Sequence, residues 1–77
     1  MHMQLYRVTK SYWNGDDYDL PERTVLATYR NKKKAYTMAN GLQQENEMKK
    51  QVLKDARHDP YPYSCLQFCV EVIKTDD

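Results

Sequence analysis

The sequence predicts an α+β domain of order β-β-α-β: a three-stranded antiparallel sheet in strand order 2-1-3, with one long helix packed on one face. Three observations predict it. The stretch from Asn31 to His58 has no proline and one glycine, and it is rich in Ala, Leu, Met, Lys, Gln and Glu, the composition of a helix. Two short runs of β-formers precede it and one follows. Finally, 77 residues are one domain's worth of chain, so residues 1–77 form a single unit with a modest core.

Gln4 to Tyr12 is the first strand, with Tyr6, Val8 and Tyr12 on one side and Arg7, Thr9 and Ser11 on the other. Met1-His2 ahead of Met3 reads as a cloning remnant. Trp13 to Pro21 is turn chemistry, headed by Asn14-Gly15. Arg23 to Arg30 is the second strand, with Val25, Ala27 and Tyr29 sharing a face. Asn31 is an N-cap, its side-chain oxygen free to accept from the first turn's amides. Ala35, Met38, Ala39 and Leu42 then form an apolar stripe that resumes at Met48, Val52, Leu53 and Ala56.

Gln43 to Glu47 interrupts the stripe with nothing apolar. At 1.5 Å per residue the whole stretch would span roughly 42 Å, against about 33 Å for a ten-residue strand. A straight helix overhangs its sheet. Either it bends or breaks between Gly41 and Glu47, or its second half packs on something else, such as a second copy of the chain. His58-Asp59-Pro60 is the expected stop, because the residue before proline is pushed out of the helical region.

Cys65 to Lys74 is the clearest strand, with Leu66, Phe68, Val70 and Val72 alternating against Cys65, Gln67, Cys69 and Glu71. A right-handed crossover through the helix returns it beside the first strand. The sheet face away from the helix would carry Arg7, Thr9, Gln67, Glu71 and both cysteines. Strands two and three are edges, and an exposed edge is a template for pairing.

Hydrophobic residues make up 40% and charged residues 30%, which fits a soluble globular protein. No apolar run is long enough to span a membrane and no leader pattern is present, so a cytoplasmic protein with no membrane partner is expected. A net charge of +1 supplies no global attraction to nucleic acid.

The Tyr6-x-Val8-x-x-Ser11-Tyr12 strand, the Gly15-Asp16 hairpin, the second strand ending in Thr28-Tyr29 and the Lys34-Ala35 helix start together resemble small bacterial and phage β-β-α-β domains of unknown function. The resemblance runs from Tyr6 to about Leu42. It implies this fold and a mobile-element origin, and no activity. Small phage proteins of this size are often inhibitors of host machinery, anti-CRISPR proteins among them.

Two clusters carry candidate chemistry. Asp16, Asp17, Asp19 and Glu22 make an acidic hairpin flanked by Tyr12, Trp13 and Tyr18, with Tyr61 and Tyr63 in a proline-rich loop further on. Aromatics beside charge are what interface hot spots are made of, and the carboxylates could mimic phosphates toward a basic groove. A calcium loop lacks the closing glutamate. A plain solvated turn outweighs both. Arg30, Lys32, Lys33 and Lys34 crowd the helix start, the end where the macrodipole disfavours cations. They read as an anion site or, with more weight, as a solvated turn. Cys65 and Cys69, roughly 13 Å apart along a strand, cannot bridge each other and cannot close a zinc site locally.

No glycine-rich phosphate loop and no paired carboxylates are present, so no enzyme, cofactor or metal is expected. The leading expectation is a non-catalytic protein-binding module, a phage inhibitor of host nucleic-acid-handling or defence machinery in the manner of an anti-CRISPR protein. Its partner would be a host protein or protein complex held by the hairpin with Tyr61 and Tyr63. The alternative is a small nucleic-acid-binding protein using the Lys-rich helix start. A homodimer is compatible with both.

Overall fold

The computed structural model describes residues 2–16 and 18–76, with the backbone alone described at His2 and Asp76. Its elements are β1 (His2–Tyr12), β2 (Glu22–Tyr29), α1 (Lys32–Asp55), a 3-10 turn (Tyr63–Cys65) and β3 (Leu66–Asp76). The strands run in order β2-β1-β3 with both neighbouring pairs antiparallel, as the crossover argument predicts. β1 begins earlier than Gln4, because the ladder with β3 continues through Met3–Thr75 to His2–Asp76. Cys65 falls in the 3-10 turn rather than at the head of β3.

The register along β2 slips once. Val8 stands opposite Ala27, yet its neighbour Thr9 stands opposite Val25, so Leu26 is an extra residue in a β-bulge. A one-residue slip turns all that follows to the other face. Ala27 and Tyr29 therefore lie on the face of Val8 and Tyr6, whereas Val25 shares the face of Thr9 and is 51% exposed. The expected Val25-Ala27-Tyr29 face is corrected to Ala27 and Tyr29 alone.

α1 is one continuous helix, without the break considered between Gly41 and Glu47. Asn31 caps it as expected, its Oδ1 accepting from the Lys34 N–H at 3.1 Å. The other end comes at Asp55, short of His58, and the cause is not Pro60. Arg57 enters the left-handed region at φ 58°, the His58 N–H donates to the Leu53 carbonyl at 2.8 Å, and the Arg57 N–H donates to the Lys54 carbonyl at 3.0 Å. That double closure is a Schellman motif built on arginine in place of glycine.

The core is small. Val8, Ala35 and Ala39 are buried, with Tyr6, Tyr29, Met38, Leu42 and Val70 packed around them. Two alanines one turn apart let the helix backbone come close to β1. The Tyr29 hydroxyl donates to Met38 Sδ at 3.1 Å, tying β2 to the same turn.

Beyond Leu42 the attachment becomes polar. Gln43 Oε1 accepts from the Phe68 N–H at 2.9 Å. Asn46, itself buried, donates from Nδ2 to the Tyr63 carbonyl at 3.0 Å. The segment that looked like an interruption of the stripe thus supplies two tethers, one of which covers an outward amide on the β3 edge.

The face opposite the helix carries Arg7 between Thr28 and Glu71, Thr9 between Val25 and Cys69, and Ser11 between Arg23 and Gln67. Thr9 is buried even there, at the centre of the sheet. The longest dimension of the molecule is 53 Å. Among the described residues no helix is long and apolar enough to cross a membrane.

Candidate binding surface

The hairpin between β1 and β2 holds its shape through its own polar side chains. Asn14 Oδ1 accepts from the Asp16 N–H at 2.9 Å, and Asp16 Oδ1 accepts from the Tyr18 N–H at 3.0 Å. These are Asx turns in series. Asn14 Nδ2 donates to Asp19 Oδ2 at 2.8 Å, and Trp13 Nε1 donates to the Asp16 carbonyl at 3.1 Å. Gly15, at φ 88°, supplies a conformation that a side chain would strain. The carboxylates of Asp16 and Asp19 therefore do structural work while remaining exposed. Asp17 lies outside the described residues.

What this frame presents is apolar. Tyr18 is 97% exposed, Leu20 89% and Trp13 44%. Leu20 did not stand out in the sequence. Its signal was available: a large aliphatic residue between an aspartate and a proline in a turn has no core to enter.

Tyr12 and Tyr61 meet across 49 positions of chain. Their hydroxyls are 2.9 Å apart, and the rings sit edge-to-face with centroids 6.4 Å apart. The hydrogen bond with Tyr61, aided by partial desolvation, pushes the Tyr12 phenol up to about 12. The pair sits over an open depression beside Lys10, Glu22, Thr24 and Leu66. Tyr12, Glu22 and Tyr61 are thus one cluster at the foot of the hairpin.

Tyr63 belongs elsewhere. Its ring lies 5.5 Å from Lys49 Nζ, and it lines a shallow apolar depression with Met48, Val52 and Leu53 on the distal half of α1. Met48 is 69% exposed and Val52 68%. The proposed set of nine hairpin and loop residues therefore divides, with Tyr63 on a separate surface.

Arg30, Lys32, Lys33 and Lys34 are all exposed, and the first turn of α1 contains no acidic residue. Lys32 Nζ lies 5.9 Å from the Tyr36 ring, a cation–π contact one turn along the helix. The cluster is an exposed basic end of α1.

A polar groove of about 480 Å³ runs behind the hairpin, with Trp13, Arg23, Glu47, Gln67, Cys65 and Cys69 among its walls. Both cysteines are free thiols. His58, exposed beyond the end of α1, does not line the groove, so no cysteine–histidine nucleophile pair is assembled there. Among the described residues no group of three or more His, Cys, Asp or Glu side chains is placed to share a metal ion.

Gln43 and Asn46 are the residues that sequence reasoning missed. Their signal was positional, since 35, 39, 43 and 46 continue one helical stripe and a polar residue on an inward stripe must find a partner. No family model matches the chain, and neither a curated protein nor a solved structure does.

Proposed function

We propose that this chain is a non-catalytic protein-binding module whose contact surface is the tip of the β1–β2 hairpin. The observation that carries the reading is the pairing of exposure with rigidity: Trp13, Tyr18 and Leu20 stand in solvent on a turn that four side-chain hydrogen bonds hold in shape. An aromatic anchor on a preorganised loop loses little entropy on docking, and aromatics of this kind dominate interface energies. The surrounding carboxylates of Asp16, Asp19 and Glu22 favour a partner with a basic surface, such as a groove built to hold nucleic acid. In this reading the chain is a phage-borne inhibitor that occupies the basic groove of a host nucleic-acid-handling or defence complex, as an anti-CRISPR protein would.

The test is capture from nuclease-treated host lysate with the tagged chain and with its Tyr18→Ser/Leu20→Ser variant. The wild type is expected to retain a stoichiometric protein that the variant loses, while the circular dichroism of the two stays the same. Equal retention by both removes the hairpin tip from the proposal.

The second reading, nucleic-acid binding through Arg30, Lys32, Lys33 and Lys34, draws support from the absence of acidic residues in the same helical turn. It requires affinity for a plain duplex or single strand that falls steeply with salt. Charge reversal at Lys33 and Lys34 would then abolish retention of nucleic acid.

A further inference from the structure

The two edges of the sheet are not equivalent. The β3 edge is covered where α1 crosses it, since Gln43 takes the outward Phe68 amide. Among the described residues β2 pairs with β1 alone, and its other edge is bare. Every side chain from Glu22 to Leu26 is exposed, Val25 and Leu26 included. An uncovered edge with aliphatic side chains is a template for another strand.

The charges at the two ends of that strand say which strand. β2 starts in acid, with Asp16 and Asp19 in the hairpin and Glu22 at its first position, and it ends in base, at Arg30 and Lys32 to Lys34. Between two copies of this chain, only the antiparallel arrangement meets both ends with opposite charge, and one strand then supplies both halves of the match. A parallel copy would set acid on acid and base on base.

We propose that β2 is the seam of a two-fold homodimer, in which the β2 edges of two copies pair antiparallel and make one six-stranded sheet. The bulge selects the register. Opposed residues must share a face, and Leu26 shifts the alternation by one. The pairing that satisfies both sides of the bulge sets Val25 opposite Leu26 of the second copy, Thr24 opposite Ala27, Arg23 opposite Thr28 and Glu22 opposite Tyr29. Arg30 then lies beside Glu22 of the other copy, and the contact occurs twice. The seam takes Glu22 from the surface proposed above but leaves Trp13, Tyr18 and Leu20 outside the paired residues, so the dimer carries two hairpin tips with their apolar anchors free.

Sedimentation equilibrium on the full chain tests this, over about 1 µM to about 500 µM, the range in which a weak dimer dissociates. The wild type is expected to dimerise, and more weakly at high salt. Glu22→Lys alone and Arg30→Glu alone each place like charges together twice, and each is expected to weaken the dimer about tenfold. An equimolar mixture of the two variants restores opposite charges at both contacts and is expected to form a heterodimer of wild-type strength. Circular dichroism of each variant, and recovery of the homodimer by the double variant Glu22→Lys/Arg30→Glu, separate a lost interface from a lost fold. A chain that stays monomeric throughout overturns the proposal. So does a dimer indifferent to both reversals, or one that is lost on Met48→Lys, which would place the seam on the distal helix.

Discussion

The two halves of α1 are built from similar residues and behave differently. From Ala35 to Leu42 the apolar stripe lies on the sheet, with Ala35 and Ala39 buried against Val8. From Met48 onward apolar residues recur at helical spacing, yet Met48 and Val52 face solvent. The distal half keeps its helical form by other means. Glu45–Lys49 at 3.2 Å and Glu47–Lys50 at 3.4 Å are ion pairs along the helix, and Gln51 donates to Asp55 at 2.8 Å. Each is worth a few tenths of a kcal/mol. The Schellman closure at Arg57 ends the helix cleanly. Helical periodicity therefore reports which residues share a side of the helix, and something else decides whether that side is covered.

The largest expected contrast comes from truncating one apolar side chain in each half. Val8→Ala should lower stability by about 2–3 kcal/mol, since it removes a fully buried side chain beneath two alanines that cannot fill the gap. A chain of this length has about 4–12 kcal/mol in total. Met48→Ala should change stability by less than about 0.5 kcal/mol. Urea denaturation of both variants measures the difference. Equal losses would mean that Met48 is covered in solution, and the contrast between the halves would collapse.

The sequence made the strands, the long helix and the Asn31 cap legible because each rests on local chemistry: alternation, helix-forming composition, and one side-chain oxygen at one end. The handedness of the crossover then set the strand order. It did not reveal the bulge at Leu26, which breaks the Val25-Ala27-Tyr29 alternation without any glycine or proline to mark it. The Schellman stop was hidden for a similar reason, since arginine is not the residue expected in the left-handed position. Of the candidate surface, the hairpin's turn chemistry was readable from Asn14-Gly15-Asp16. The meeting of Tyr12 with Tyr61 and the departure of Tyr63 were not, because both depend on where the loop after α1 returns to the sheet.

A middle-sized effect should come from the junction between the halves. Asn46→Ala leaves the Tyr63 carbonyl without its donor and opens a gap at a buried position, at a cost of about 1–2 kcal/mol. Native-state hydrogen exchange sharpens this. In the wild type the amides of Met48 to Asp55 should exchange faster than those of Met38 to Leu42, because fewer buried contacts oppose their opening. In Asn46→Ala the gap between the two groups should widen. Uniform exchange along the whole helix would show that both halves open as one unit.

The smallest effect concerns the loop that follows the distal half, which returns to the sheet through Tyr61. The Tyr12 phenol is raised from 10.0 to about 12 in the folded chain, first by its hydrogen bond with Tyr61. The folded state thus keeps a proton that the unfolded chain releases near its ordinary value. Between pH 10 and pH 12 the unfolded state binds fewer protons, so stability falls with rising pH across that window and is unaffected by this group below it. An absorbance titration of the tyrosinate band should show a component near pH 12 that is lost in Tyr12→Phe. Tyr61→Phe should bring Tyr12 back toward its ordinary value and flatten the fall in stability between those pH values. If Tyr12 ionises near its ordinary value in the wild type, the return loop is not anchored at Tyr61, and more of the distal helix's attachment then falls on the tethers at Gln43 and Asn46.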